Sequence, residues 1–217
     1  MTIDSDMIYN IMKTGIVLTA VFIIVFVKVR QERGSRKSRT TEPKTLSGPE
    51  ELNKKFEANL QSSNCIVSAT CNILWHHGHH GFPELIEGVD FPGLEERIDA
   101  IINSKGGYAN NNVPETVEEY VSTYTHYKVE VNNLWHPSFN DVKRAAAKNP
   151  CLLGFAAGPD SYGSDAGHMT ACVWADVYDK KKMVGVIDGH KTNIVFWVWQ
   201  KHNDFMSEFI FSKKDGA

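Results

Sequence analysis

Neither sign of charge dominates this sequence. Its 23 Lys and Arg stand against 26 Asp and Glu, a formal net charge of −3 over 217 residues. A nucleic acid is held first by concentrated positive charge, so no nucleic acid partner is expected. Internal repeats are absent too, which excludes the solenoid and propeller arrays that a fixed period would announce. Metal-ligand spacing is also missing. The run His76-His77-Gly78-His79-His80 has no second ligand cluster to complete a site, and Cys65 and Cys71, six apart, face different sides of a helix. No metal and no cofactor is expected, and the histidine run reads as a helix end with an exposed loop. What remains, with 42% hydrophobic and 23% charged residues, suits one ordinary domain plus a tail.

The apolar stretch at the start stands apart. After a short tail, residues 1–7, positions 8–29 are nearly uncharged, about the ~20 residues that a membrane span requires. Lys13 and Lys28 lie where they can snorkel. A cleaved signal peptide would carry positive charge before the apolar run and small residues after it; here the start is acidic and the run ends in Val-Lys-Val-Arg. An uncleaved membrane anchor is the expectation. Residues 30–47 have no hydrophobic period, are rich in Arg, Lys, Ser and Thr, and read as a basic flexible linker. Positive charge following the span puts the rest of the chain on the cytoplasmic side.

Residues 48–214 read as the folded domain. A short helix is expected from Pro49, then helices over residues 65–78, 94–102, 114–123 and 138–148, with a strand over 127–131. From Pro150 the pattern changes to strands over 151–156, 169–178, 183–187, 192–199 and 206–211. Helices first and antiparallel strands after make an α+β fold.

Chemistry concentrates in two stretches. In the first, Ser63 and Asn64 are good N-cap residues, Cys65 follows in the first turn of an apolar helix, and Gly78 reads as its stop. A helix N-terminus favours thiolate, the nucleophilic form. Taken alone, Cys65 would more ordinarily be a small core residue, the reading given to Cys71, Cys151 and Cys172; a Cys151–Cys172 disulfide would require export. The second stretch, from Pro150 to Trp199, contains Gly167-His168 and Asp188-Gly189-His190. The aromatics Trp135, Trp197 and Trp199 read as packing.

Together the stretches resemble the papain-like cysteine peptidases, nearest to the bacterial branch around the bacteriocin double-glycine leader peptidases. That branch has a Cys-Gly-Pro helix with Leu nine and Gly thirteen residues on, matched by Cys65, Leu74 and Gly78. Its Pro-Val-x-x-Gly strand, Gly-His strand and Asp-Gly-Trp segment are matched by Pro150 and Gly154, by Gly167-His168 and by Asp188-Gly189. The likeness runs from about Glu50 to Phe211. It implies a two-lobed fold, a helical lobe with the Cys and an antiparallel lobe with the His and Asp. It implies Cys65 as nucleophile, stored as thiolate beside a His168 imidazolium, with Asp188 orienting His168. It also implies an oxyanion donor before the Cys, Gln61, with Asn59 as fallback. The partner would be a peptide or protein substrate. A hairpin centred near residues 178–180 would bring His168 and Asp188 close together; failing that, Asn193 and then Asp176 would orient the imidazole. Two positions depart from the pattern. Ile66-Val67 replaces Gly-Pro, and His190 stands where Trp shields the His–acid bond, a role Trp197 or Trp199 would then take. An inactive papain-like binding module is one alternative. Another is a different thiol hydrolase or acyl transferase, such as a cell-wall amidase or transglutaminase-like enzyme.

Overall fold

Helices form where a cap precedes an apolar stripe. In the computed structural model, which describes residues 49, 51–56, 58, 64–155, 167–191, 193–199 and 203–214, helix α1 is one turn, Leu52–Lys55. Helix α2 spans Cys65–His79 and is capped by Asn64, whose side chain accepts from Ile66 N–H at 2.9 Å. Helix α3, Phe91–Ser104, starts on Asp90, which accepts from Gly93 N–H, and ends before Gly106 and Gly107, both at positive φ. Helix α4, Val113–Tyr124, has Pro114 in its first turn, where the missing N–H costs nothing. Helix α5, Phe139–Ala146, opens with a capping box between Ser138 and Asp141. The membrane span expected over 8–29, the tail 1–7, the linker 30–47 and the donors Gln61 and Asn59 lie outside the described residues. Among the described residues no helix is long and apolar enough to cross a membrane.

Among the described residues six strands make one sheet: β1 Tyr127–Trp135, β2 Cys151–Phe155, β3 His168–Tyr178, β4 Lys181–Ile187, β5 Val195–Val198 and β6 Asn203–Lys213. Their order is β1-β6-β2-β3-β4-β5 with every neighbouring pair antiparallel. The domain is therefore α+β, as the switch in sequence pattern implies.

Period-two alternation divides the sheet into two apolar faces. Leu152, Met169, Ala171, Val173, Met183, Ile187 and Phe205 face the core shared with α2, α3 and α4. Leu153, Cys172, Val184, Val186, Trp197 and Met206 face the second core, closed by Phe139, Val142 and Ala145 of α5. Fully burying one such side chain contributes about 1.5–3 kcal/mol.

The structure corrects several boundaries. Gly78 lies inside α2, which runs to His79; a Cβ there would stand 2.7 Å from Ile86 Cγ1 and Cγ2. Close packing explains that glycine, and Gly81, at φ +117°, follows the true helix end. The histidine run is not simply a helix end with an exposed loop. His77 is buried among the rings of Phe82 and Phe211, at centroid distances of 6.1 and 4.7 Å. Strand β1 extends four residues past the expected Val131, and β5 is confined to Val195–Val198. Trp197 is packed as expected, whereas Trp135 is largely exposed.

Candidate active site

Cys65 is the first residue of α2 and half-buried. The residues after it explain its fixed position. Ile66, Val67 and Ala69 are buried in the larger core, and Asn64 satisfies one of the helix's free N–H groups. One turn on, at the i+3 position that shares its helix face, lies Ser68. Against Ser68 packs the turn that follows β4. Gly189, at φ +75°, would bring a Cβ to 3.6 Å from the Ser68 hydroxyl oxygen. The Asp188-Gly189 turn thus closes on the first turn of the cysteine helix.

Asp188 is buried, and its Oδ1 accepts the backbone N–H groups of His190 and Lys191, both at 2.9 Å. These bonds shape the turn that Gly189 completes. His168 begins β3, where Phe155 of β2 is its partner, and it too is buried. Its ring is stacked on the exposed His190 ring at 5.4 Å and 17°, and Trp197 lies 6.3 Å away. Trp197 thus stands beside the histidine. Burial pushes the His168 pKa down to about 4, with repulsion from His190 adding to the effect. The Asp188 charge and a hydrogen bond from the imidazole to the Asp188 backbone oppose both. His168 is neutral at pH 7, not the stored imidazolium that the resemblance implies.

The hairpin turns at the expected centre, but His168 and Asp188 are not directly opposed. Tyr178 pairs with Lys181 around a two-residue turn, and a bulge between Cys172 and Trp174 shifts the pairing to Ala171 with Ile187. One further step would set Thr170, not His168, against Asp188. His168 and Asp188 meet as diagonal neighbours. Alternation from Met169 and Ala171 also puts His168 on the Trp197 face of the sheet, opposite α2. Cys65 and His168 approach the same sheet end from opposite faces. Of the fallback orienters, Asn193 is exposed and Asp176 pairs with Lys143.

Glu95 of α3 is a neighbour that sequence reasoning missed. It is nearly buried, lies by the Ser68 hydroxyl, and its pKa is raised by burial, with the Asp99 charge adding to the rise. Its position in the Leu94–Ile102 stripe, where a core-facing residue belongs, is the signal that would have found it. The other thiols are fully buried. Burial, with repulsion from Glu95 and Asp99, raises Cys71. Cys151 stands directly opposite Cys172, and the hydrogen bond between them and burial raise the Cys151 thiol. All four cysteines are free. Among the described residues no three His, Cys, Asp or Glu side chains converge on a point that could hold a metal ion.

No protein-family model matches this chain, and a search of curated proteins found no match either.

Proposed function

We propose that this domain is a papain-like cysteine peptidase, hydrolysing peptide bonds through a Cys65 thioester with His168 as proton carrier and Asp188 as its orienter. The observation that carries the reading is the packing of the Asp188-Gly189 turn on Ser68, one helical turn from Cys65, with the His168 ring held beside that turn. With a neutral imidazole at pH 7, the chemistry is general-base attack. Nε2 or Nδ1 takes the thiol proton as sulfur adds to the carbonyl carbon, and the imidazolium then protonates the leaving amine. The apolar segment 8–29 would tether the domain to a membrane, with the domain on the cytoplasmic side.

The test is a cysteine-directed activity probe on the full chain near neutral pH. Cys65 should label far faster than Cys71, Cys151 and Cys172, and Cys65→Ala should abolish the signal. Exposure alone favours Cys65, so His168→Ala is the decisive comparison. Losing a general base should slow labelling about 10²-fold. Equal rates with and without His168 would end the peptidase reading.

A second reading has its own support. Cys65 and His168 come from opposite sheet faces, and Asp188 Oδ1 is engaged by two backbone amides. An inactive papain-like module that binds peptides fits these features. It predicts slow labelling that is indifferent to His168, and no peptide cleavage.

A further inference from the structure

We propose that the cavity beside the C-terminal half of α2 binds a small organic anion, an acidic head group on an apolar body. The cavity, about 380 Å³, lies between α1, α2 and the sheet, within the size range of small-molecule sites. Its floor is apolar, made by Ala171, Val173 and Ile187. Its rim is basic: Lys54 and Lys55 come from α1, and His76, His79 and His80 from the end of α2. None of the described residues that line it is acidic.

The wall is built of neighbouring rings. Lys55 Nζ lies over the Phe56 ring at 5.3 Å, the Phe56 and His76 rings are 5.0 Å apart, and His76 stacks on His80 at 4.1 Å. The Nδ1–H groups of His79 and His80 donate to the Trp75 and His76 carbonyls, which fixes both rings and leaves each Nε2 for other partners. Burial first, and then His80, His77, Lys55 and His79, hold the pKa of His76 down to about 4, so the lasting positive charge at this rim is that of Lys54 and Lys55. Trp75, which lines the same cavity, has a buried indole N–H with no acceptor among the described residues, and an acid oxygen would supply one. Asn72 is the nearest lining residue to Cys65 along α2, seven residues or about 10 Å of helix away. Ile187 of the floor adjoins Asp188 in sequence, so the two sites share the end of β4, but Cys65 itself does not line the cavity.

The experiment uses the full chain at fixed detergent and salt, with fluorine NMR of three probes of similar shape: 4-fluorophenylacetate, 4-fluorobenzyl phosphate and the neutral 4-fluorophenylacetamide. At least one acid should bind about tenfold more tightly than the amide. A Lys54→Gln, Lys55→Gln double variant, altered only at exposed positions, should lose about that factor for the acid and nothing for the amide. Cys65→Ala should bind like the unaltered chain, which separates this site from peptidase chemistry. The tighter acid identifies the head group as carboxylate or phosphate. Equal binding of acid and amide, acid binding indifferent to the two lysines, or no binding of either acid would overturn the proposal.

Discussion

Gly78 shows how much a single missing Cβ can carry. Ile86 lies flat on it, so that a methyl group would meet two Ile86 carbons at 2.7 Å. Gly78→Ala would gain up to about 1 kcal/mol of helix propensity, but the overpacking costs roughly 1–3 kcal/mol. The variant should therefore unfold at lower denaturant, and an unchanged midpoint would mean that Ile86 yields freely. His77 gives a second prediction. Burial first, and then His80, hold its pKa down to about 4, against about 6.5 in an unfolded chain. With a folded pKa below the unfolded one, the neutral ring contributes stability that is fully present above about pH 6.5 and is lost as pH falls through 4. The slope reaches about 1.4 kcal/mol per pH unit for each such histidine, and His168 acts in the same sense. Denaturation at pH 6.5, 5.5 and 4.5 should show the fall. His77→Phe, which keeps an aromatic ring between Phe82 and Phe211, should make the fall shallower, with His76 and His168 left to contribute the rest, and an equally steep fall in that variant would assign the effect to other groups.

Among the elements, the β3–β4 hairpin is where sequence reading came nearest to the site and then missed by a small step. Asp179 and Lys180 both lie at positive φ, 48° and 60°, the conformation of a two-residue turn that Asn-Gly or Asp-Gly favours. A lysine there is strained, so Lys180→Gly should stabilise the domain by about 1 kcal/mol. Thermal or denaturant unfolding would show it, and a loss of stability would mean that Lys180 makes a contact outweighing its strain. The charged turn and the two apolar runs were legible because their signals are local. So were the Cys65 helix with its Asn64 cap, the Leu94–Ile102 stripe and the Ser138 cap. The exact register was not legible, because it follows from where the two-residue turn falls, with Tyr178 opposite Lys181, and from a bulge at Cys172 to Trp174 that has no local signature. The turn alone would set Asp188 against Ala171, and the bulge moves it one residue toward His168, to the diagonal position observed. The end of α2 was misread for a related reason: Gly78 answers to Ile86, eight residues on, rather than to a helix stop.

Over the whole molecule, the sheet matters more than any motif. One face carries α2, α3 and α4, the other α5, and the candidate site straddles the end where His168, Asp188 and the start of α2 come together. Which face His168 occupies depends on alternation counted from Met169, so the fold class could be read from the chain while the facing of the site could not. The same layout bears on the apolar segment near the start. Every buried hydrophobic residue in the two described cores lies at Phe56 or later, and the elements that meet at the candidate site begin at Asn64. Deleting residues 1–45 removes none of them and leaves a chain long enough to bury a core of its own. The shortened protein should be soluble without detergent and unfold in one cooperative step. Its Cys65 should react with the activity probe at the rate seen in the full chain. Aggregation or non-cooperative unfolding of the shortened protein, with the full chain well behaved in detergent, would make the first segment part of the fold. Normal folding with altered Cys65 reactivity would instead show that the segment acts on the site.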